Sequence, residues 1–279
     1  MQTVYIGNTL VNDVFLGSQR IDDVLTPLPR EYALPPVTDG LQLYLTTYAS
    51  QSYNSGSTTW TDLSGNARNF NLVNPSYYVS GSYNGLLLGG NTGANRTATR
   101  IFSSSLDFTF NTTGSAFVVF KKHPNYSAEN FAAWLSINNN TTTNNDFTNY
   151  QRHGFSNAGS PAFSYVYTNG AASLYTDVEN VVDDTDFHLQ YEGWTTGTGN
   201  AYISTDTNST GSASGTTMAT FNNSGSLRMS IAQNARLSLP NGTDSANSVF
   251  YEIALYSRKL QGQELEDVKN YFINRYGIV

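Results

Sequence analysis

Asp39-Gly40-Leu41-Gln42-Leu43-Tyr44-Leu45 starts the pattern that decides the fold. Leu41, Leu43 and Leu45 alternate with Gln42 and Tyr44, the period of a strand with one buried face. Gly85-Leu86-Leu87-Leu88-Gly89 is instead a continuous apolar run, as in a strand buried on both faces. Strand patterns recur at 115–120, 131–137, 162–167, 187–192, 200–204, 227–231 and 249–256. Asn, Gly, Ser and Thr fill the separators, and these residues make turns. Many short strands with turns between them predict an all-β sandwich or barrel. The tract 138–145 holds only Asn and Thr and is expected to be an exposed loop.

The two ends read differently. From Gly262 to Gly277, Leu265, Val268, Phe272 and Tyr276 share one helical face. Acids fill the first turn, Arg275 the last, and Gly277 supplies a stop, so one amphipathic helix closes the domain. At the other end, Val4-Tyr5-Ile6-Gly7-Asn8-Thr9-Leu10-Val11-Asn12-Asp13 is echoed at a ten-residue period by Val14-Phe15-Leu16-Gly17-Ser18-Gln19-Arg20-Ile21-Asp22-Asp23. Each unit reads as a small hairpin around a Gly-containing turn. Such hairpins are marginal alone, so the apolar triplets Val4, Tyr5, Ile6 and Val14, Phe15, Leu16 are expected to dock, either on the main domain or on another protein. Pro27, Pro29, Pro35 and Pro36 mark a stiff linker. The expected organisation is a docking element at 1–25, a linker at 26–38 and a sandwich domain at 39–279.

Composition sets bounds on function. The chain has 279 residues, enough for a real core without staples. Charged residues are 13%, about half the ~25% of an ordinary soluble chain. A net charge of −7 argues against a phosphate-neutralising surface, so no nucleic-acid partner is expected. There is no cysteine, hence no disulfide frame and no thiolate site. The start lacks a basic n-region and an apolar run, so no classical signal peptide is expected. No stretch approaches 18 apolar residues, and no membrane insertion is expected.

Two resemblances follow from these residues. Asp39 to Leu45, then Trp60-Thr61-Asp62-Leu63-Ser64-Gly65-Asn66, resembles the opening of laminin-G-like domains of the concanavalin A-like lectin/glucanase superfamily. Glu252-Ile253-Ala254-Leu255-Tyr256-Ser257-Arg258-Lys259-Leu260 and the helix after it are similar to the close of those domains. The likeness implies a jelly-roll β-sandwich of two antiparallel sheets with one C-terminal helix and a small N-terminal hairpin element. The ten-residue repeat resembles N-terminal segments of bacteriophage virion proteins that carry such lectin-like domains. This implies a virion structural protein, made in the host cytoplasm and sited on the virion surface as a capsid decoration or a tail or head fibre module. Its partners would be other virion proteins, sibling copies in a homo-oligomer such as a trimer, and a host or environmental glycan. The alternative is a stand-alone carbohydrate-binding or glycan-degrading tail component.

Glucanases of that superfamily present Glu-x-Asp-x-x-Glu on one strand, and no such string occurs here. The acidic segment Asp183-Asp184-Thr185-Asp186, flanked by Glu179 and Glu192, reads as a solvated turn, and no enzymatic activity is expected. No cofactor is required. Calcium is the one candidate, with Asp62, Asn66, Asp183, Asp184 and Asp186 as oxygen donors. Asp62 reads first as the organiser of an Asx-turn or a cap in the Trp60–Asn66 loop, and only second as a calcium donor. Sugar binding would use loop aromatics, for which Tyr77, Tyr78, Tyr126 and Tyr150 are candidates. His123, His153 and His188 are scattered, and Trp60 and Trp194 read as core anchors.

Overall fold

The computed structural model describes residues 34–80, 83–89, 97–102, 113–122, 132–139, 150–156, 162–168, 171–178, 186–195, 202–206, 211–212, 227–232 and 248–279, and four short strands before them. In chain order the strands are β1 (Val4–Ile6), β2 (Thr9–Val11), β3 (Phe15–Leu16), β4 (Gln19–Arg20), β5 (Leu41–Thr46), β6 (Thr59–Trp60) and β7 (Phe70–Val73). Next are β8 (Ser76–Ser80), β9 (Tyr83–Leu88), β10 (Thr97–Phe102), β11 (Thr113–Lys122), β12 (Ala132–Asn139), β13 (Tyr150–Ser156) and β14 (Ala162–Thr168). β15 (Ala171–Val178), β16 (His188–Thr195), β17 (Tyr202–Thr205), β18 (Gly211–Ser212), β19 (Leu227–Ile231) and β20 (Ser248–Tyr256) follow, and helix α1 (Gln263–Tyr276) ends the order.

The chain divides into two compact units, Met1–Ala33 and Leu34–Val279. In the first, β1 pairs with β2 (Val4 opposite Val11) and β3 with β4 (Phe15 opposite Arg20), both antiparallel. Each ten-residue repeat is therefore one hairpin, with Gly7-Asn8 and Gly17-Ser18 as the intervening pairs. Val14 and residues 26–33 lie outside the described residues.

The second unit is a sandwich of two eight-stranded antiparallel sheets. One, here the facing sheet, has the order β15-β14-β13-β12-β19-β10-β7-β6. The other has the order β18-β17-β16-β11-β20-β9-β8, with β5 also paired to β20. Alternation brings Trp60, Phe70, Leu135, Ile137, Met229 and Ile231 inward from the facing sheet. Leu43, Leu45, Leu86, Leu88, Val118, Ile253 and Leu255 meet them from the other. Full burial of each such side chain contributes about 1.5–3 kcal/mol. The expected loop at 138–145 begins later than its composition suggests. Asn138 and Asn139 belong to β12, because Arg228 and Leu227 of β19 pair with them.

Helix α1 covers the outer face of the second sheet through Leu265, Val268, Phe272 and Tyr276, the four positions expected. Phe272 stacks on Phe117 with ring centres 5.9 Å apart. The helix ends at Gly277, whose left-handed φ of 66° a side chain with Cβ adopts at a cost. With the core on one side and the helix on the other, β20 is buried along its whole length. A bulge makes that possible. Val119 stands opposite Glu252 and Phe120 opposite Phe250, so Tyr251 is an extra residue. The shift lets Phe250, Ile253 and Leu255 all reach the core, while Tyr251 and Glu252 both turn toward the helix. Among the described residues no helix is long and apolar enough to cross a membrane.

Candidate functional site

The segment from Trp60 to Asn69 folds back on the start of β5. The Asp62 carboxylate is filled from within. Its Oδ1 accepts from the backbone N–H of Tyr44 and of Ser64, both at 2.9 Å. Its Oδ2 accepts from Ser64 Oγ and from the N–H of Arg68, again at 2.9 Å. Asn66 donates to the carbonyl of Leu41 at 3.0 Å and to Ser64 Oγ at 2.9 Å. Both residues therefore organise a turn that locks the first strand of the sandwich, the Asx reading of Asp62. Asp186 is exposed elsewhere, and Asp183 and Asp184 lie outside the described residues.

The tyrosine candidates do not converge. Tyr77 is half-buried, packed against the core and stacked on Tyr53 at 5.4 Å. Burial pushes its phenol up from the ordinary value. Tyr78 is the next residue of β8, opposite Gly85. Tyr126 lies outside the described residues, and Tyr150 opens β13 in the other sheet.

One buried polar cluster and two histidine–carboxylate pairs escaped the sequence reading. Under the helix, Glu252 accepts from Tyr44 OH (2.6 Å), Tyr276 OH (2.8 Å) and Arg275 Nη1 (2.7 Å). Arg275 lies over the ring of Tyr271 at 4.1 Å. Burial, then the Glu252 charge, pushes the phenols of Tyr44 and Tyr276 well up, so both stay protonated donors. Burial opposes the charge of Arg275, but the Glu252 carboxylate holds it cationic. Between the sheets, His153 of β13 contacts Glu192 of β16 through Nδ1 and Oε1, with both side chains fully buried. Trp134 and Trp194 flank that histidine at 5.6 and 5.3 Å. At the rim of β16, His188 Nδ1 meets Asp206 Oδ2 at 2.8 Å. The available signal was a charged or imidazole side chain set inside an apolar strand, where it needs an internal partner.

A different kind of surface forms on the facing sheet. Ile231, Leu135, His153, Val166 and Leu174 are neighbours in register, and the described ones line the core. One residue along, the row Thr99, Ser230, Ser136, Arg152 and Tyr167 occupies the opposite face. Two residues further, Ile101, Arg228, Asn138 and Tyr150 form a parallel row on that same face. Tyr165 pairs with Tyr175 there too. Asn71 and Val73 are exposed on this face, Arg228 is half-buried, and Ser136 and Ser230 are buried at its centre. Register thus puts Tyr150 on one face with two arginine and three further tyrosine positions.

No protein-family model matches the sequence, and no curated protein is similar to it. Solved structures share the fold. A mutant of Trypanosoma rangeli sialidase displaying trans-sialidase activity matches with a TM-score of 0.58 at 13% identity, over 87% of this chain and 34% of that one. Trypanosoma rangeli sialidase in complex with 2,3-difluorosialic acid, a covalent intermediate, matches at 0.55 with 13% identity and the same coverage. The binding domain of botulinum neurotoxin DC in complex with SialylT matches at 0.54 and 10% identity, over 84% of this chain and 52% of that one. The chain spans about a third of the sialidase chains and about half of the toxin chain. At these identities the likeness is one of fold.

The expectation of no enzymatic activity is corrected by these matches, because proteins that share the fold include sialidases. A physical reason supports the correction. Glu-x-Asp-x-x-Glu marks one kind of chemistry, hydrolysis by a carboxylate pair. The missing string excludes one route, not catalysis.

Proposed function

We propose that the sandwich unit binds glycans through the outward face of the facing sheet, and that the N-terminal hairpins dock the protein on a virion. The observation that carries the glycan part is that face. Tyrosine positions for stacking and arginine positions come together there in register, on a fold shared with a sialidase and a toxin binding domain solved with SialylT. The docking part is supported by the first unit. Its two hairpins belong to a compact unit of their own, and two-stranded pieces have strand edges that pair readily with a partner chain. In this reading the protein is a capsid decoration or a fibre module, assembled with other virion proteins as a homo-oligomer such as a trimer. Many copies then turn weak sugar contacts into avid binding.

The test has two arms. The full chain on an array of neutral and acidic glycans should bind some sugars and not others, and an empty array contradicts the glycan part. Particles carrying the chain with or without residues 1–25 should show its density only when the repeat is present. Density that survives the deletion contradicts the docking part.

A further inference from the structure

Arginine placement sets the outward face of the facing sheet apart. Arg68 donates to the backbone and side-chain oxygens of Gln42, Arg258 forks onto Glu264, and Arg275 pairs with Glu252. Arg228 is half-buried at the second position of β19 and, among the described residues, has neither an ion pair nor a hydrogen bond. Its Nε is shut from solvent with no acceptor. A cation held in a sheet surface without an internal acceptor is costly, and an external acceptor relieves that cost.

Register extends the point. Asn138 stands between Arg228 and Tyr150, and Arg152 is two residues from Tyr150 on the same face. With strands about 4.8 Å apart and a rise of about 3.3 Å per residue, the two arginine positions are roughly 12 Å apart. Ser136 and Ser230 lie between them. The strands of this sheet place one acidic residue on this face, Asp177, opposite Phe163 toward the far edge. The whole chain carries a net charge of −7, so paired arginine positions here run against its composition. A short acidic ligand is attracted by such a local pair, whereas a long polyanion is repelled by the surrounding charge.

We propose that this face takes a carboxylate-bearing oligosaccharide, with Arg228 anchoring the carboxylate. The proposal rests on the glycan-binding reading and names its sugar class. Guanidinium suits the task because its planar fork matches the two oxygens of a carboxylate.

Equilibrium titration of the full chain with trigalacturonate, its methyl ester, sialyllactose and lactose tests this. The two acidic sugars should bind about 10-fold or more tighter than the neutral partners. Arg228→Gln should weaken binding of the acidic sugars by about 10- to 100-fold without moving the thermal midpoint, and Arg228→Lys should recover part of the loss. Equal affinity for acid and methyl ester, or unchanged binding by Arg228→Gln, overturns the proposal and leaves glycan binding standing. Tighter binding of a single-stranded oligonucleotide than of any sugar also overturns it. Failure to bind any glycan on the wider array removes both readings together.

Discussion

The two sheets share one core and differ in what backs them. The sheet built on β20 has its outer face filled by the helix, and the buried acid under that helix, Glu252, is matched by two phenols and a guanidinium. On the facing sheet, Arg228 has no such match among the described residues. One sheet commits its outer polar groups to stability, and the other keeps a charged group available. The difference teaches where to look for binding on a sandwich: on the sheet whose charges lack internal partners.

The largest way to break the comparison is at Glu252. Glu252→Ala strands a half-buried guanidinium and two buried phenols, and should cost about 3–5 kcal/mol in urea unfolding. A loss below about 1 kcal/mol would mean that the helix-backed face is held by packing alone. Asp62→Ala removes the acceptor for four donors and should cost about 2 kcal/mol, read as a lower urea midpoint.

High pH sharpens the comparison next. The folded Tyr44 and Tyr276 phenols lie well above 10, mainly by burial, while unfolded tyrosines titrate near 10. Their contribution is therefore full below about pH 10 and is lost as pH rises, by about 1 kcal/mol per tyrosine between pH 10 and 11. Urea midpoints should fall over that range, and flat midpoints would place these phenols in contact with water. The smallest expected stability effect is at Arg228, where Gln should change unfolding by less than about 0.5 kcal/mol. A larger loss would mean that Arg228 has a structural partner.

Much of the fold was legible in the sequence. Leu41 to Leu45 alternates, 249–256 is apolar or aromatic but for Glu252, and the helix shows its face and its stop. β7, β13 and β15 were missed because Asn, Gln, Ser and Thr dilute their alternation, and pairing with neighbours decides them. Tyr251 beside Glu252 hid a bulge, since period-two reading has no place for an extra residue. The candidate face was illegible for a related reason. Arg152 and Arg228 are far apart in the chain, yet register sets them on one face with only β12 between their strands, and alternation gives a strand its faces but not its neighbours. Tyr150 was named as a sugar contact on its own, without the partners that register supplies.

Hydrogen exchange of the full chain with and without trigalacturonate tests the central claim most directly. The account predicts slowed exchange in peptides covering β12, β13 and β19, with β16 and the helix unchanged. Protection confined to the helix, to β16 or to the 60–69 loop would contradict it.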